Sequence, residues 1–176
     1  MERLTFALDE ESKSILQQFS DNNNLSKTAV MRLALQSLQK QSKLEEICEI
    51  EKLYTYGEFL ANKDHIILDI DHWESFFKEI DEGSESFWKE VYDIGVEHQK
   101  EYYNKGLREV KDILKFVEKT NWYILNQDSE TSFTLILNLS TSAKFVEQFF
   151  KGFFQEYPRK IVIMRGGRKI RILIER

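Results

Sequence analysis

The chain has 176 residues, of which 41% are hydrophobic and 31% are charged, a composition typical of a folded protein rather than a disordered one. No apolar run approaches the roughly 20 residues that a membrane span needs, and the first residues lack the continuous apolar stretch of a secretory signal. The single cysteine, Cys48, cannot form an internal disulfide, so we expect a reducing, cytoplasmic setting.

A short strand is predicted at residues 3–8, because apolar and other side chains alternate there with period two. One face of this strand comprises Leu4, Phe6 and Leu8. The opposite face comprises Arg3, Thr5 and Ala7. The alternation therefore predicts a strand that buries one side and presents the other.

Two amphipathic helices are predicted directly after this strand. The first begins behind the N-cap Asp9 and ends near Asn22, and the second begins behind the N-cap Ser26 and ends near Lys40. Together, the two apolar stripes include Ile15, Phe19, Val30, Leu33 and Leu38. Forty residues bury too little surface to fold alone, and a single strand leaves its ladder unpaired.

A second copy of the same segment would complete the fold. Two such strands would pair antiparallel, and four helices would cover their apolar face. The outer face would then show Arg3, Thr5 and Ala7 twice, on a ribbon that fits the major groove of B-DNA. Arginine can pair with guanine, threonine with either kind of base edge, and the alanine methyl with that of thymine.

The run RLTFALDEESKSILQQFSDNNNLSKTAVMRLALQSL resembles the ribbon-helix-helix (MetJ/Arc/CopG-type) repressors. The matching features are the RLTxxL strand, the acidic helix start, the LSKTAV start of the second helix and the ALxxL ending. The resemblance implies a homodimer that reads bases through Arg3, Thr5 and Ala7. It also implies a phosphate contact at the second helix N-terminus, through Ser26 and the backbone amides of Lys27 and Thr28. The dimer core would comprise Leu4, Phe6, Leu8, Ile15, Phe19, Val30, Leu33 and Leu38.

Charge is unevenly distributed around the net value of −5. Residues 1–43 carry +1, residues 44–157 carry −12 and residues 158–176 carry +6. We call residues 1–43 the head. Its net charge of only +1 predicts modest attraction to phosphates and a shallow salt dependence of DNA binding for each dimer. The simpler alternative for the head is an ordinary strand-helix-helix piece of a larger α+β domain.

We divide the chain into a ribbon-helix-helix domain (1–41), a helical linker (42–53) and a C-terminal α+β domain (54–176). The short helix predicted over 44–53 could be a linker or a continuation of the second helix. The last contains antiparallel hairpins and about four helices among roughly six strands. The hairpins are predicted at 54–60 with 65–70, at 122–126 with 132–139, and at 160–164 with 168–174. The helices are predicted behind the cap Asp71, over 85–104 and 107–119, and between Ser140 and Pro158.

The C-terminal domain resembles the 4-vinyl-reductase and TRAPP-subunit group of small-molecule-binding domains. The segments that carry this resemblance are EVYDIGVEHQ, LKFVEKTNWYIL and FVEQFFKGFF. It implies a pocket for a small, largely apolar ligand. The aromatic face of the last segment is more often core than pocket lining, although part of it could line a pocket or a dimer seam.

Candidate chemistry elsewhere is sparse. His65, Asp69 and Asp71 would share a strand face next to His72, but we favour edge and cap roles for them over a metal site. Arg165 and Arg168 in the basic closing hairpin could contact the DNA backbone or simply form a solvated edge. No nucleophile motif, phosphate-binding loop or clustered His/Cys set is visible, so we predict neither an enzyme nor a cofactor.

These patterns predict a sequence-specific DNA-binding transcriptional regulator of the repressor type, acting as a homodimer or a dimer of dimers on double-stranded DNA. The C-terminal domain would oligomerise or sense a ligand, and so set the spacing of two ribbons. One alternative is an antitoxin-like autorepressor whose C-terminal part binds a protein partner. Another is an architectural DNA protein without sequence preference.

Overall fold

The computed structural model describes residues 5–61, 65–80 and 84–175. Within these ranges the chain forms seven helices and one four-stranded antiparallel sheet, so the mixed α+β class is confirmed. The chain divides into two compact units, Met1–His65 and Ile66–Arg176. Among the described helices, none combines the length and apolar character that a membrane crossing requires.

The first unit contains α1 (Glu10–Asn23), α2 (Lys27–Glu45) and α3 (Ile50–Ala61). Both predicted N-caps are confirmed: the Asp9 carboxylate accepts from the Ser12 amide at 2.7 Å, and the Ser26 hydroxyl accepts from the Ala29 amide at 3.2 Å. Asn24 ends α1 in the left-handed conformation at φ 51°, which asparagine tolerates. The two predicted helices of the head therefore form with the expected caps.

The hairpin predicted at 54–60 and 65–70 is wrong. Its first half lies within α3, and residues 65–69 form no strand. Tyrosine, threonine and phenylalanine favour strands, but here Thr55 and Phe59 share one helix face and are both buried. The Thr55 hydroxyl also donates to the carbonyl oxygen of Glu51, one helical turn earlier, at 3.1 Å. This hydrogen bond satisfies the hydroxyl within the helix. The turn proposed between the two strands lies outside the described residues.

The linker predicted at 42–53 is also not one helix. Instead, α2 continues past Lys40 to Glu45, a turn follows, and α3 begins at Ile50. The N-terminal strand is not confirmed either: residues 5–9 form no strand in the single chain, while Arg3 and Leu4 lie outside the described residues.

The second unit contains α4 (Ile70–Glu79), α5 (Glu85–Asn104), α6 (Val110–Glu118) and α7 (Ala143–Phe153). Asp69 caps α4 by accepting from the Asp71 amide at 2.9 Å, so the predicted cap, Asp71, was placed two residues too late. The predicted bounds of α5 are confirmed, and Gly106 follows its end at φ 83°.

The sheet is formed by β1 (Tyr123–Gln127), β2 (Ser132–Leu137), β3 (Ile161–Gly166) and β4 (Lys169–Ile174). Its strand order is β1-β2-β4-β3, with every neighbouring pair antiparallel. Two of the three predicted hairpins are therefore confirmed. Gly167 lies in the turn of the hairpin that β3 and β4 form, at φ 57°, in the left-handed region that favours glycine.

The core of the second unit lies between one sheet face and helices α5, α6 and α7. The strands contribute alternate residues, such as Leu135 on β2 and Ile170 and Ile172 on β4. The aromatic segment of α7 belongs to this core, with Phe150 and Phe153 fully buried. That segment is thus core, as the sequence favoured.

Candidate nucleic-acid interface

The segment that leads into α1 is exposed along its described length. Thr5 and Ala7, two of the three predicted base readers, are exposed, whereas Arg3 lies outside the described residues. The alternate residues Phe6 and Leu8 are 65% and 44% exposed, although the sequence predicts them in a core. The segment thus presents both its polar and its apolar side chains to solvent in a single chain.

The apolar stripes of α1 and α2 are likewise uncovered, and neither helix has a buried residue. Ile15 is 48% exposed, Phe19 55%, Leu33 51% and Leu38 58%, while Val30 is half-buried. Burying one such side chain fully stabilises a fold by about 1.5–3 kcal/mol. Exposed large apolar side chains on two neighbouring helices are typical of an interaction surface.

The N-terminus of α2 is suited to an anion. Ser26, Lys27 and Thr28 are all exposed, and no acidic residue lies in the first turn. The first amides of a helix lack intrahelical partners and carry a partial positive charge. The structure therefore places the three predicted phosphate-contacting residues together at an open helix end.

The N-terminus of α1 has the opposite character. Glu10 and Glu11 occupy its first turn, and the amide of Ser12 donates to the Asp9 carboxylate. That hydrogen bond lowers the pKa of Asp9 below its usual value, so the cap stays ionised at neutral pH. A phosphate would be repelled here, so of these two helix N-termini only that of α2 has a charge environment suited to an anion.

Arg165 and Arg168, the proposed extra DNA contacts, both bond within the second unit. Arg165 Nε lies 3.1 Å from the Glu147 carboxylate on α7. Arg168 Nη2 donates to the carbonyls of Leu137 at 2.9 Å and Asn138 at 3.1 Å. Arg165 therefore links the closing hairpin to α7, and Arg168 links it to the end of β2.

The weak metal candidates lie in separate structural settings. The His65 ring stacks on Phe59 with their centroids 4.3 Å apart, Asp69 caps α4, and His72 lies exposed in the first turn of α4. Across residues 5–61, 65–80 and 84–175, no group of three or more His, Cys, Asp or Glu side chains is arranged to hold a metal ion.

The second unit, for which the second resemblance implies an apolar pocket, has two surface grooves. One has a volume of about 530 Å³ and is lined by Trp88 and Tyr92 together with charged residues, including Lys144. The other, of about 270 Å³, is lined by Tyr157 and basic side chains such as Arg159. The second groove is also lined by Phe154, Ile161 and Ile163, so both grooves combine apolar and charged side chains.

Sequence reasoning missed two features of the second unit. One is the Glu147–Arg165 ion pair, which joins residues far apart in the chain and left no local signal. The other is the bond from the Thr134 hydroxyl to the Asp128 carboxylate at 2.7 Å, on the sheet face away from the core. The alternation of the polar Ser132 and Thr134 with the apolar Phe133 and Leu135 in the sequence could have located that face. No protein-family model and no curated protein matches the chain.

Proposed function

We propose that the chain is a sequence-specific DNA-binding transcriptional regulator whose head pairs with the head of a second copy. The observation that carries this proposal is the exposure of the predicted dimer core: Phe6, Leu8, Ile15, Phe19, Leu33 and Leu38 are 44–65% exposed in the single chain. Large apolar side chains exposed in this number favour burial, and an identical copy of the head is the partner that the resemblance implies.

In the proposed dimer, residues 3–8 of two chains form an antiparallel ribbon. Phe6 and Leu8 turn inward against α1 and α2, which leaves Arg3, Thr5 and Ala7 on the outer face. This ribbon would enter the major groove, where arginine and threonine can discriminate base edges. The exposure of Thr5 and Ala7 is compatible with that arrangement.

The two α2 helices would flank the ribbon and position it on the backbone. Their N-termini offer amides, the Ser26 hydroxyl and the Lys27 ammonium to one phosphate on each side. Since residues 1–43 carry a net charge of only +1, each dimer makes few phosphate contacts. Several dimers on adjacent sites would bind more tightly than one, and the second unit is available to arrange them.

The test is selection from a random duplex library at fixed salt, with the wild-type chain and Arg3→Ala/Thr5→Ala side by side. A matched control is Arg108→Ala/Thr141→Ala, which removes an exposed arginine and an exposed threonine from the second unit. We expect an enriched, repeated half-site with wild type and control, and its loss in the head variant. Each good base contact should contribute about 1–3 kcal/mol of discrimination.

An absence of enrichment, or enrichment that survives Arg3→Ala/Thr5→Ala, would contradict the proposal. Equal affinity for all duplexes would point to an architectural DNA protein. Tight co-purification of a second small chain, together with repression of its own operon, would favour the antitoxin-like alternative.

A further inference from the structure

One edge of the sheet in the second unit has no neighbouring strand. β3 ends the strand order β1-β2-β4-β3, so it pairs with β4 only. The Glu175 amide donates to the Lys160 carbonyl at 2.9 Å, and bonded pairs alternate along an antiparallel ladder. The main-chain groups of Ile161, Ile163 and Arg165 therefore point away from β4. Within the part of the chain that the structure describes, these groups form no hydrogen bond, and we call them the open edge of β3.

The opposite edge of the sheet is partly used by a side chain. On β1, the amide of Leu125 donates to the Glu118 carboxylate of α6 at 2.7 Å. An unpaired edge is a template onto which a further strand can add through main-chain hydrogen bonds. Of the two edges, that of β3 therefore offers a partner more free main-chain groups.

A groove of about 270 Å³ follows the open edge of β3. Its apolar lining comprises Ile161, Ile163 and Phe154. On the other face of β3, Val162 is half-buried and Met164 is 44% exposed. Since the side chains of a strand alternate between its two faces, a strand added here would meet apolar side chains on both.

The start of β3 is basic. Residues 159–166 carry three positive charges and no negative one. Lys160 Nζ pairs with the Glu175 carboxylate at 2.9 Å, whereas the Arg159 guanidinium donates to the carbonyl oxygen of Glu175 at 3.2 Å. Among the described residues, Arg159 forms no ion pair. Two β3 edges paired with each other would set one basic strand against another, so charge favours an acidic partner segment.

A segment of matching character lies directly before α4. Residues 66–68 belong to no helix or strand, and Ile66 is 85%, Ile67 70% and Leu68 36% exposed. Consecutive apolar residues are typical of a strand that is covered on both faces. Asp69 then caps α4 and Asp71 is exposed in its first turn, so the segment leads into acidic residues. We call residues 66–68 the exposed segment.

We propose that the exposed segment of one copy adds as a fifth strand to the open edge of β3 in a second copy, antiparallel to it. Main-chain groups that are unpaired in the single chain then bond to each other across the two copies. Ile66 and Leu68 enter the groove. Ile67 lies on the other face, beside Val162.

The antiparallel direction follows from charge. It places Asp71 of one copy beside Arg159 of the other, so a carboxylate meets a guanidinium that forms no ion pair among the described residues. The parallel direction would place Asp71 at the opposite end of β3, near Gly166.

A second copy can supply the segment more readily than the chain itself. The exposed segment leads into α4, where the Trp73 ring packs on those of Trp122 and Phe145, with centroids 6.5 and 5.2 Å apart. Trp122 directly precedes β1, the edge strand opposite to β3. At about 4.8 Å per strand, these two edges are about 14 Å apart.

Two copies related by a two-fold axis can exchange their segments reciprocally, which closes the assembly at a dimer. Each copy then contributes one segment and one edge. Two such short strand additions bury less than the about 800 Å² per partner of a stable interface. We therefore expect a dimer that dissociates on dilution.

Sedimentation equilibrium of the full chain over a concentration series tests this exchange. Every variant also carries Leu33→Glu, so that the proposed pairing of the heads does not mask the second unit. Ile66→Lys places a charge in an apolar groove with a basic rim and should weaken association by about tenfold. Ile47→Lys, at an isoleucine that is 82% exposed between α2 and α3, is the matched control and should change nothing. Normal association of Ile66→Lys, or a Leu33→Glu chain that stays monomeric throughout the series, overturns the proposal.

A mixing experiment separates segment from edge. Val162→Lys damages the edge but leaves the segment intact, and Ile136→Lys, at another half-buried residue of the same sheet face, is its control. Val162→Lys alone should associate weakly, as Ile66→Lys does. A mixture of the two variants should associate more tightly than either alone, because one of the two contacts is then intact. Both changes add the same charge, so attraction between them cannot produce this recovery, and a mixture without recovery overturns the proposal.

Amide hydrogen exchange of the Leu33→Glu chain provides an independent measurement. At high protein concentration the amides of Ile161, Ile163 and Arg165 should exchange more slowly than at low concentration. The amide of Gln127, on the opposite edge strand β1, should be unchanged. Equal exchange at the open edge of β3 at both concentrations overturns the proposal without the need for any variant of the second unit.

Discussion

Gly95 of α5 and Gly152 of α7 are reciprocal contact points at which the two helices touch through their backbones. A Cβ built on Gly152 would lie 1.9 Å from the carbonyl oxygen of Tyr92, and one built on Gly95 would lie 2.1 Å from that of Phe149. Those backbone atoms cannot move without moving a helix. The close approach brings Phe149 and Phe153 of α7 into the core beside Tyr102.

Gly152→Ala is expected to destabilise the second unit by about 3 kcal/mol. Alanine normally stabilises a helix by about 1 kcal/mol relative to glycine, but here the added methyl overpacks a rigid contact. Gly57→Ala is the control, because a Cβ there meets nothing within 4 Å and the residue lies within α3. Urea unfolding should show a loss for the first variant and a small gain for the second. A gain for both would mean that the helices can separate at little cost.

Leu33 and Leu35 provide a test of the proposed head dimer within one helix. Both lie on α2 and are similarly exposed, at 51% and 60%, but only Leu33 lies on the predicted dimer stripe. Leu33→Glu should therefore weaken self-association strongly, since about 1.5–3 kcal/mol of burial is lost from each chain. Leu35→Glu should leave it intact. Equal effects of the two changes on sedimentation would contradict the proposed stripe.

The caps of α1 and α2 were predicted well because their causes are local. Asp9, Ser26 and Asn24 act on residues within one turn, so the bounds of α1 and the start of α2 follow from the sequence. The bounds of α5 follow similarly from its stripe and from Gly106. The same applies to the hairpin at Gly167, whose left-handed conformation is encoded by the glycine itself.

The errors arose where tertiary packing overrode local preference. The strand-like residues of 54–60 form a helix because Thr55 and Phe59 bury one face there. The order of the strands depends on pairings between residues far apart in the chain, such as that of β2 with β4. In the head, the predicted strand would pair only with a strand of a second chain, and residues 5–9 form no strand in the single chain.

Arg165 distinguishes a structural role of the closing hairpin from DNA contact. Its guanidinium pairs with Glu147, whose side chain is only 13% exposed. Arg165→Glu should lower stability by about 1 kcal/mol. The swap Glu147→Arg/Arg165→Glu should restore only part of this loss, because Glu147 also pairs with Lys151 at 2.8 Å. If the pair is only structural, DNA affinity of the folded chain should be unchanged in both variants. A loss of affinity that the swap does not restore would instead assign Arg165 to the DNA backbone.

Tyr123 links the stability of the second unit to alkaline pH. Its hydroxyl donates to the Leu114 carbonyl at 2.7 Å, and burial raises the pKa of the phenol well above its ordinary value of 10.0. The pKa of Tyr123 is higher in the folded state than in the unfolded chain. The free energy that the buried phenol contributes to folding is therefore complete below pH 10 and is lost as the pH rises further. Burial raises the pKa of Tyr102 in the same direction.

Tyr123→Phe should therefore have two effects with different pH dependence. At neutral pH it should cost about 1 kcal/mol, because the hydrogen bond to Leu114 is lost. Above pH 10 the variant should lose stability less steeply than wild type, since one buried phenol no longer ionises on unfolding. Tyr54→Phe, at a side chain that is 70% exposed, is the control and should follow the wild-type profile. Parallel stability curves for Tyr123→Phe and wild type between neutral and alkaline pH would show that Tyr123 does not carry this pH dependence.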